Sequence, residues 1–248
     1  MRSKKGLNLS LIYSYNFYLH KRNKKKIKFI IIHYTGMKKE SQAIKKLCNP
    51  KSEVSSHYYI KNNGNVLNLV PDLYEAWHAG KSRWKNYQSL NKHSIGIEMT
   101  NPGHQHGYRK FSKKQILSLK KLLKLLMKKY TIERKNILGH SDIAPNRKKD
   151  PGEKFPWKIL ADSNLSLWHS LNLRKIKKLR KIKLSFKTQE KEFFSNLRKF
   201  GYVEVKGIRS SQNAKFLIKA FQRRFRQDLI DGNIDKECFL ISKNLLNS

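Results

Sequence analysis

Cysteine is almost missing from this chain, and the little there is does not cross-link it. Cys48 and Cys238 are the only two in 248 residues and sit in unrelated contexts. That excludes a disulfide framework and a four-cysteine zinc site, and fits a reduced compartment. Acid is scarce as well: 17 Asp and Glu stand against 55 Lys and Arg, a formal charge of +38. Such a surplus draws polyanions, whether nucleic acid, anionic lipid or a carboxylate-bearing polymer. Lys, Ile and Asn are all abundant, as an AT-rich genome would produce, so the charge speaks to association and not to fold. No apolar run approaches the ~18 residues that span a bilayer. The opening MRSKKGLNLSLIYSYNFYLHKR is basic, but Asn8, Ser10, Ser14 and Asn16 interrupt its apolar residues and no small-x-small cleavage site follows. A cytoplasmic monomer is expected, with periplasmic or cell-wall association as the alternative. The cations are dispersed, without an aromatic-interleaved patch or a known motif, so no specific nucleic-acid partner is expected.

Against that background the chain carries clear local signals. KIKFIIIHYTG is a β-branched run that ends at His33 and a glycine turn, the pattern of a buried strand. Residues 40–48 read as helix, and SSHYYIKNNGNVLNLVPD as a hairpin whose Asn63-Gly64 supplies the φ > 0 turn. HSIGIEM is a second apolar strand, interrupted by Glu98. FSKKQILSLKKLLKLLMKKY opens with a Ser112…Gln115 capping box, then repeats Ile116, Leu119, Leu122, Leu123 and Leu126 at helical spacing. NILGH is a short last strand. Alternating strands and helices predict an α/β domain over residues 27–169, preceded by an extension over 1–26. A cationic linker over 170–187 leads to a small all-α domain over 188–246.

Proline is also rare, with 6 residues in the chain, yet Pro145, Pro151 and Pro156 crowd into GHSDIAPNRKKDPGEKFPW. They forbid a regular helix and hold the loop with little entropy left to lose. His33 and His140 each close a strand, and Asp150 lies on this rigid loop. Two imidazoles and a carboxylate leave a fourth position for water, the donor set of a hydrolytic zinc site. A lone histidine at a strand end is more often a hydrogen-bonded structural residue. Glu98 adds weight, because a carboxylate in an apolar strand costs several kcal/mol unless paired or kept near metal or water. It reads either as a general base or as half of a salt bridge to one of the many lysines.

In order, IIIHYTG, VSSHYYI, AWHAG, SIGIEM and GHSDIAPNRKKDPGEKFPW resemble the N-acetylmuramoyl-L-alanine amidases of the AmpD/AmiD type, over residues 27–169. The resemblance implies a mixed central sheet flanked by helices, as in peptidoglycan recognition proteins. It implies Zn2+ bound by His33, His140 and Asp150, catalytic roles for Glu98 and Lys148, and substrate contacts from Trp77 and His78. It also implies a peptidoglycan or muropeptide substrate, cut between muramic acid and L-alanine in wall turnover or recycling. His57 and His93 read as structural, and His104 and His106 as outside the ligand set.

The tail resembles the peptidoglycan-binding-domain-1 family through FGY, AFQRRFR and DGNID in that order. Phe216, Ala220, Phe221 and Phe225 are expected in its core, with Arg223, Arg224 and Arg226 as a basic edge. Two rival readings are a non-catalytic recognition domain and a nucleic-acid binder. A third, membrane-surface anchoring through residues 173–187, is compatible with catalysis.

Overall fold

The computed structural model describes residues 6–204 and 210–247. Residues 205–209, within the predicted C-terminal unit, and the first five of the predicted extension lie outside that set.

In chain order the strands are β1 (Leu9–Leu11), β2 (Phe17–Tyr18), β3 (Phe29–Tyr34), β4 (Tyr58–Ile60), β5 (Val66–Asn68), β6 (Glu75–Ala76), β7 (Arg83–Trp84), β8 (Tyr87–Gln88), β9 (Ser94–Met99) and β10 (Ile137–Gly139). The helices are α1 (Glu40–Cys48), α2 (Lys113–Tyr130), α3 (His140–Ile143), α4 (Trp157–Ala161), α5 (Leu173–Lys177), α6 (Lys187–Phe200), α7 (Ser210–Phe225) and α8 (Lys236–Asn244). Six strands form one mixed sheet in the order β1-β5-β4-β9-β3-β10. β9, β3 and β10 run parallel, and only β4 and β5 pair antiparallel within this sheet. Parallel strands covered on both faces have no polar side to show, which is why β3 reads as an unbroken apolar run. The hairpin turns differently from expectation: Gly64 alone has positive φ, at 86°, while its N–H donates to Lys61 O. That is a tight turn followed by a left-handed glycine, so Asn63 needs no strained conformation.

α2 covers one face of the sheet. Its predicted capping box is present, with Ser112 Oγ accepting from Gln115 N and Gln115 Oε1 accepting from Ser112 N. All five residues of its apolar stripe are buried against Ile30, Ile32, Ile95 and Ile97, each contributing ~1.5–3 kcal/mol.

The opposite face carries the site. There Phe29, Ile31 and Leu138 share one apolar cluster with Phe193, Leu197, Leu217, Phe221 and Phe225. One core therefore spans the predicted boundaries at 169 and 188. Ile176, in the stretch read as linker, is buried in the same cluster on α5. The extension also joins the fold, because β1 extends the sheet edge beside β5. The arginines predicted as a basic edge divide. Arg224 and Arg226 are buried in ion pairs with Asp142 and with Asp231 and Asp235. Spacing alone could not show this, since the acids that neutralise them come from elsewhere in the fold or from the next loop.

Candidate active site

The register of three parallel strands assembles the site. His33 stands opposite Glu98 across β3 and β9, so the two side chains leave the same face next to each other. Gly139 pairs with Ile32, which puts the following residue, His140, beside His33. All three lie at the carboxyl ends of their strands, where sheets of this class open a crevice. Asp150 is brought back by the proline-bounded loop, whose Asp150 O accepts from Ser141 N at 2.8 Å.

His33 Nδ1 lies 2.9 Å from His140 Nδ1 and 3.0 Å from Asp150 Oδ2, and His140 Nδ1 lies 3.1 Å from the same oxygen. All three residues are buried. The hydrogen bonds behind them fix the tautomers. His140 Nε2 sits 3.1 Å from the carbonyl of Ala79, which can only accept, so Nε2 carries the proton. Ser94 Oγ donates to Leu90 O, so it accepts from His78 Nε2 at 3.2 Å. His78 Nδ1 is then free to accept from His33 Nε2 at 3.1 Å. Both metal-facing Nδ1 atoms are therefore bare lone pairs, and they converge with a carboxylate oxygen on one point. Three acceptors with no proton between them repel unless a cation sits there, and their spacing is close to the ~3.3 Å edge of a zinc tetrahedron. The donor set fits zinc. Among the described residues it is the only group of its kind, and His104 and His106 take no part in it.

The electrostatics agree. Burial, then the neighbouring His140, lowers the His33 pKa to about 4, which keeps the ring neutral and able to ligate. Burial by itself would raise Asp150; its carboxyl is held well below the ordinary range only while the His140 and His33 rings carry a proton and positive charge toward it, the part a bound cation takes over once both Nδ1 atoms are bare. Glu98 goes the other way: burial, then the charge of Asp150, pushes it up to about 8 against the pull of Lys148. Its Oε2 is buried without a hydrogen-bond partner, and no ion pair of Glu98 occurs among the described residues. The salt-bridge reading of Glu98 therefore has no partner to rest on. Lys148, half-buried, lines the same cleft with Trp77 and Tyr34.

His78 is only 8% exposed and both of its ring nitrogens are engaged behind His33. That geometry gives His78 a positioning task behind His33, while the residue also lines the cleft beside Trp77. It also explains Gly96, where a Cβ would lie 2.4 Å from the His78 ring. Removing such a partner typically costs 10–100-fold in metal affinity. His78→Ala should therefore weaken zinc binding by about that factor in a chelator competition. Unchanged zinc affinity with a raised KM would return His78 to the substrate.

Sequence reading passed over two other supports. Arg147 donates through Nε and Nη2 to Lys81 O and through Nη2 to Ala79 O, pinning the carbonyl that orients His140. Asp142, two residues beyond His140, accepts from Gly139 N at 2.8 Å, Tyr202 Oη at 2.7 Å and Arg224 Nη1 at 2.7 Å. Arg224 also donates to Ile137 O and stacks over Trp157 with 4.5 Å to the ring centre. The C-terminal helices thus grip the turn that carries His140.

Comparison with known proteins agrees with this geometry. Residues 23–153 match the family model described as N-acetylmuramoyl-L-alanine amidase. The chain is 34% identical over 233 residues to the N-acetylmuramoyl-L-alanine amidase AmiD of Escherichia coli, covering 89% of this chain and 83% of that relative. It is 39% identical over 105 residues to the 1,6-anhydro-N-acetylmuramyl-L-alanine amidase AmpD of Haemophilus influenzae, covering 42% of this chain and 55% of the relative. Among solved structures, AmiD in complex with anhydro-N-acetylmuramic acid-L-Ala-D-gamma-Glu-L-Lys matches with a TM-score of 0.79 at 32% identity, over 90% of this chain and 89% of that one. AmpDh3 of Pseudomonas aeruginosa with an anhydromuramic pentapeptide matches with a TM-score of 0.77 at 29% identity, over 94% and 97%. The chain therefore belongs to the N-acetylmuramoyl-L-alanine amidase family.

Proposed function

We propose that the protein uses one zinc ion, held by His33, His140 and Asp150, to hydrolyse the amide between muramic or anhydromuramic acid and L-alanine of the stem peptide. The observation that carries this reading is the convergence of three proton-free acceptors beside a carboxyl group with no partner of its own. Zinc in such a set acidifies a water and draws electron density from the amide carbonyl. Glu98, whose carboxyl burial and Asp150 raise and which the charge of a bound metal would draw back toward the ionised form, would take the water's proton and deliver it to the departing alanine nitrogen. The Lys148 ammonium faces the carbonyl oxygen as it gains charge. Trp77 offers its ring to the substrate at the cleft rim. The anhydromuramyl peptides bound by AmiD and AmpDh3 support a muropeptide of that kind here, in wall turnover or recycling. A mere recognition domain needs neither the ligand triad nor an acid held near neutral pKa. The helices over 188–246 keep the wall-binding role suggested by their resemblance, in addition to bracing the site. No described helix is long and apolar enough to cross a membrane.

The metal itself is the test. Purified protein should carry about one zinc per chain by elemental analysis, and Asp150→Ala should lose most of it. Near-stoichiometric zinc in a variant lacking all three ligands would overturn the assignment.

A further inference from the structure

The segment from Leu11 to Leu19 is built inside out. Ser14 and Asn16 are buried, while Leu11, Tyr13 and Tyr15 between and before them are each more than half exposed, Tyr15 by 74%. This is no frayed end, because the buried pair is tied down. Ser14 Oγ donates to Leu47 O at 2.6 Å, Asn16 Nδ2 donates to Asn49 O and Val54 O at 2.8 Å each, and Ser55 Oγ donates to Asn16 O. With Ile12, Tyr18 and Leu19 (83% exposed), the segment holds six of the twelve large hydrophobic side chains exposed among the described residues. Soluble surfaces scatter such residues singly, so gathering half of them into nine positions marks a contact surface.

Its surroundings say what it meets. No Asp or Glu precedes Glu40 in the chain. Lys21, Lys24, Lys25, Lys26 and Lys28 follow the ribbon directly, all exposed. Lys21, Lys24 and Lys129 line one groove with Leu11. The acid in that groove, Asp72, is buried and already taken by Lys129, Tyr58 and Tyr130. We propose that this ribbon seats the protein on an anionic lipid surface, with tyrosine and leucine entering the headgroup layer and the lysines meeting acidic headgroups. Tyrosine suits that depth because its ring is apolar and its hydroxyl stays wet. A neutral glycan would use the rings but not five lysines. A second copy of a chain with charge +38 would meet repulsion at this basic edge. The seat leaves the chemistry free, since β1 lies at the sheet edge opposite β10 and Leu11, Tyr13 and Tyr15 are not among the cleft-lining residues. Tyr18 meets Trp77 edge-on at 5.5 Å, so the docked surface runs up to the cleft rim.

The full chain is sedimented with vesicles of phosphatidylcholine alone or mixed with phosphatidylglycerol, at low and high salt. The wild type should favour the mixed vesicles and keep measurable binding at high salt. Leu11→Ser/Tyr13→Ser/Tyr15→Ser, which preserves every charge, should lose about tenfold or more of that salt-resistant binding. Lys24→Gln/Lys25→Gln/Lys26→Gln should weaken binding chiefly at low salt. Melting temperature and turnover of a small soluble muropeptide should not move in the serine variant; if that variant folds poorly, Tyr15→Ser alone carries the comparison. Equal binding by wild type and serine variant, or no preference for the anionic vesicles, would overturn the proposal. So would a serine variant that loses retention on purified sacculi, or loses a dimer, while its vesicle binding is intact.

Discussion

Glu98→Gln should keep its fold and its zinc yet lose roughly two to four decades of kcat, the usual scale for a general base. The substitution preserves shape and removes only the site that accepts the proton. The pH behaviour of the metal-free protein gives an independent check. Glu98 rises from 4.5 to about 8 in the fold because of burial first and Asp150 second. A pKa raised by folding means the native state binds the proton more tightly than the unfolded chain. The stabilisation is complete below pH 4.5 and is lost as pH climbs through about 8. Metal-free wild type should therefore weaken between pH 5 and 8, by a few kcal/mol at most, relative to Glu98→Gln. Urea melts of both proteins at the two pH values read the gap directly. Normal turnover by the glutamine variant, or a gap that stays constant with pH, would assign proton transfer elsewhere.

Arg224→Met should destabilise the whole protein by about 3–5 kcal/mol, the usual result of stranding one partner of a buried ion pair. Arg224 and Asp142 are each 1% exposed, and Asp142 caps the turn that begins at His140. For a chain of this size the loss corresponds to a fall of roughly 10 °C in Tm. Zinc should dissociate more readily in parallel, because the His140 turn loses its anchor. Arg224→Met/Asp142→Asn should recover a good part of the stability, since the buried charge then goes with its partner. Truncation before residue 188 should be more damaging still, uncovering Phe29, Ile31 and Leu138. A tethered module of independent stability predicts the reverse: an unchanged Tm and unchanged turnover of soluble substrate after truncation.

Much of the site was legible because its signals are local. The capping box of α2 and the apolar run of β3 each lie within one short segment and predict their own conformation. The proline-rich stretch, expected to hold no helix, instead opens with the single helical turn α3 over His140–Ile143, ahead of its first proline. The convergence of His33, His140 and Asp150 was suggested by local signals of the same kind, strand ends and a proline-rich loop. What stayed hidden depends on residues that meet only in the folded chain. His78 and Ser94 form a relay behind His33 through contacts between separate elements. Arg224 looked like one more solvated cation in a chain full of them, and its partner Asp142 lies 82 positions away. β1 is three residues long and draws its stability from pairing with β5, so no periodicity could announce it. The hidden parts are those where tertiary contacts, and not propensity, decide.

The most direct test of the zinc amidase assignment is product analysis. The zinc-loaded full chain is incubated with an anhydromuramyl tripeptide, and the products are identified by mass spectrometry with and without a chelator. Cleavage should release the intact peptide with a free alanine amine and leave the sugar with its lactyl carboxylate. It should stop when the metal is removed and return when zinc is restored. Cleavage at a sugar or peptide bond, or amide cleavage that persists without metal, would contradict the account.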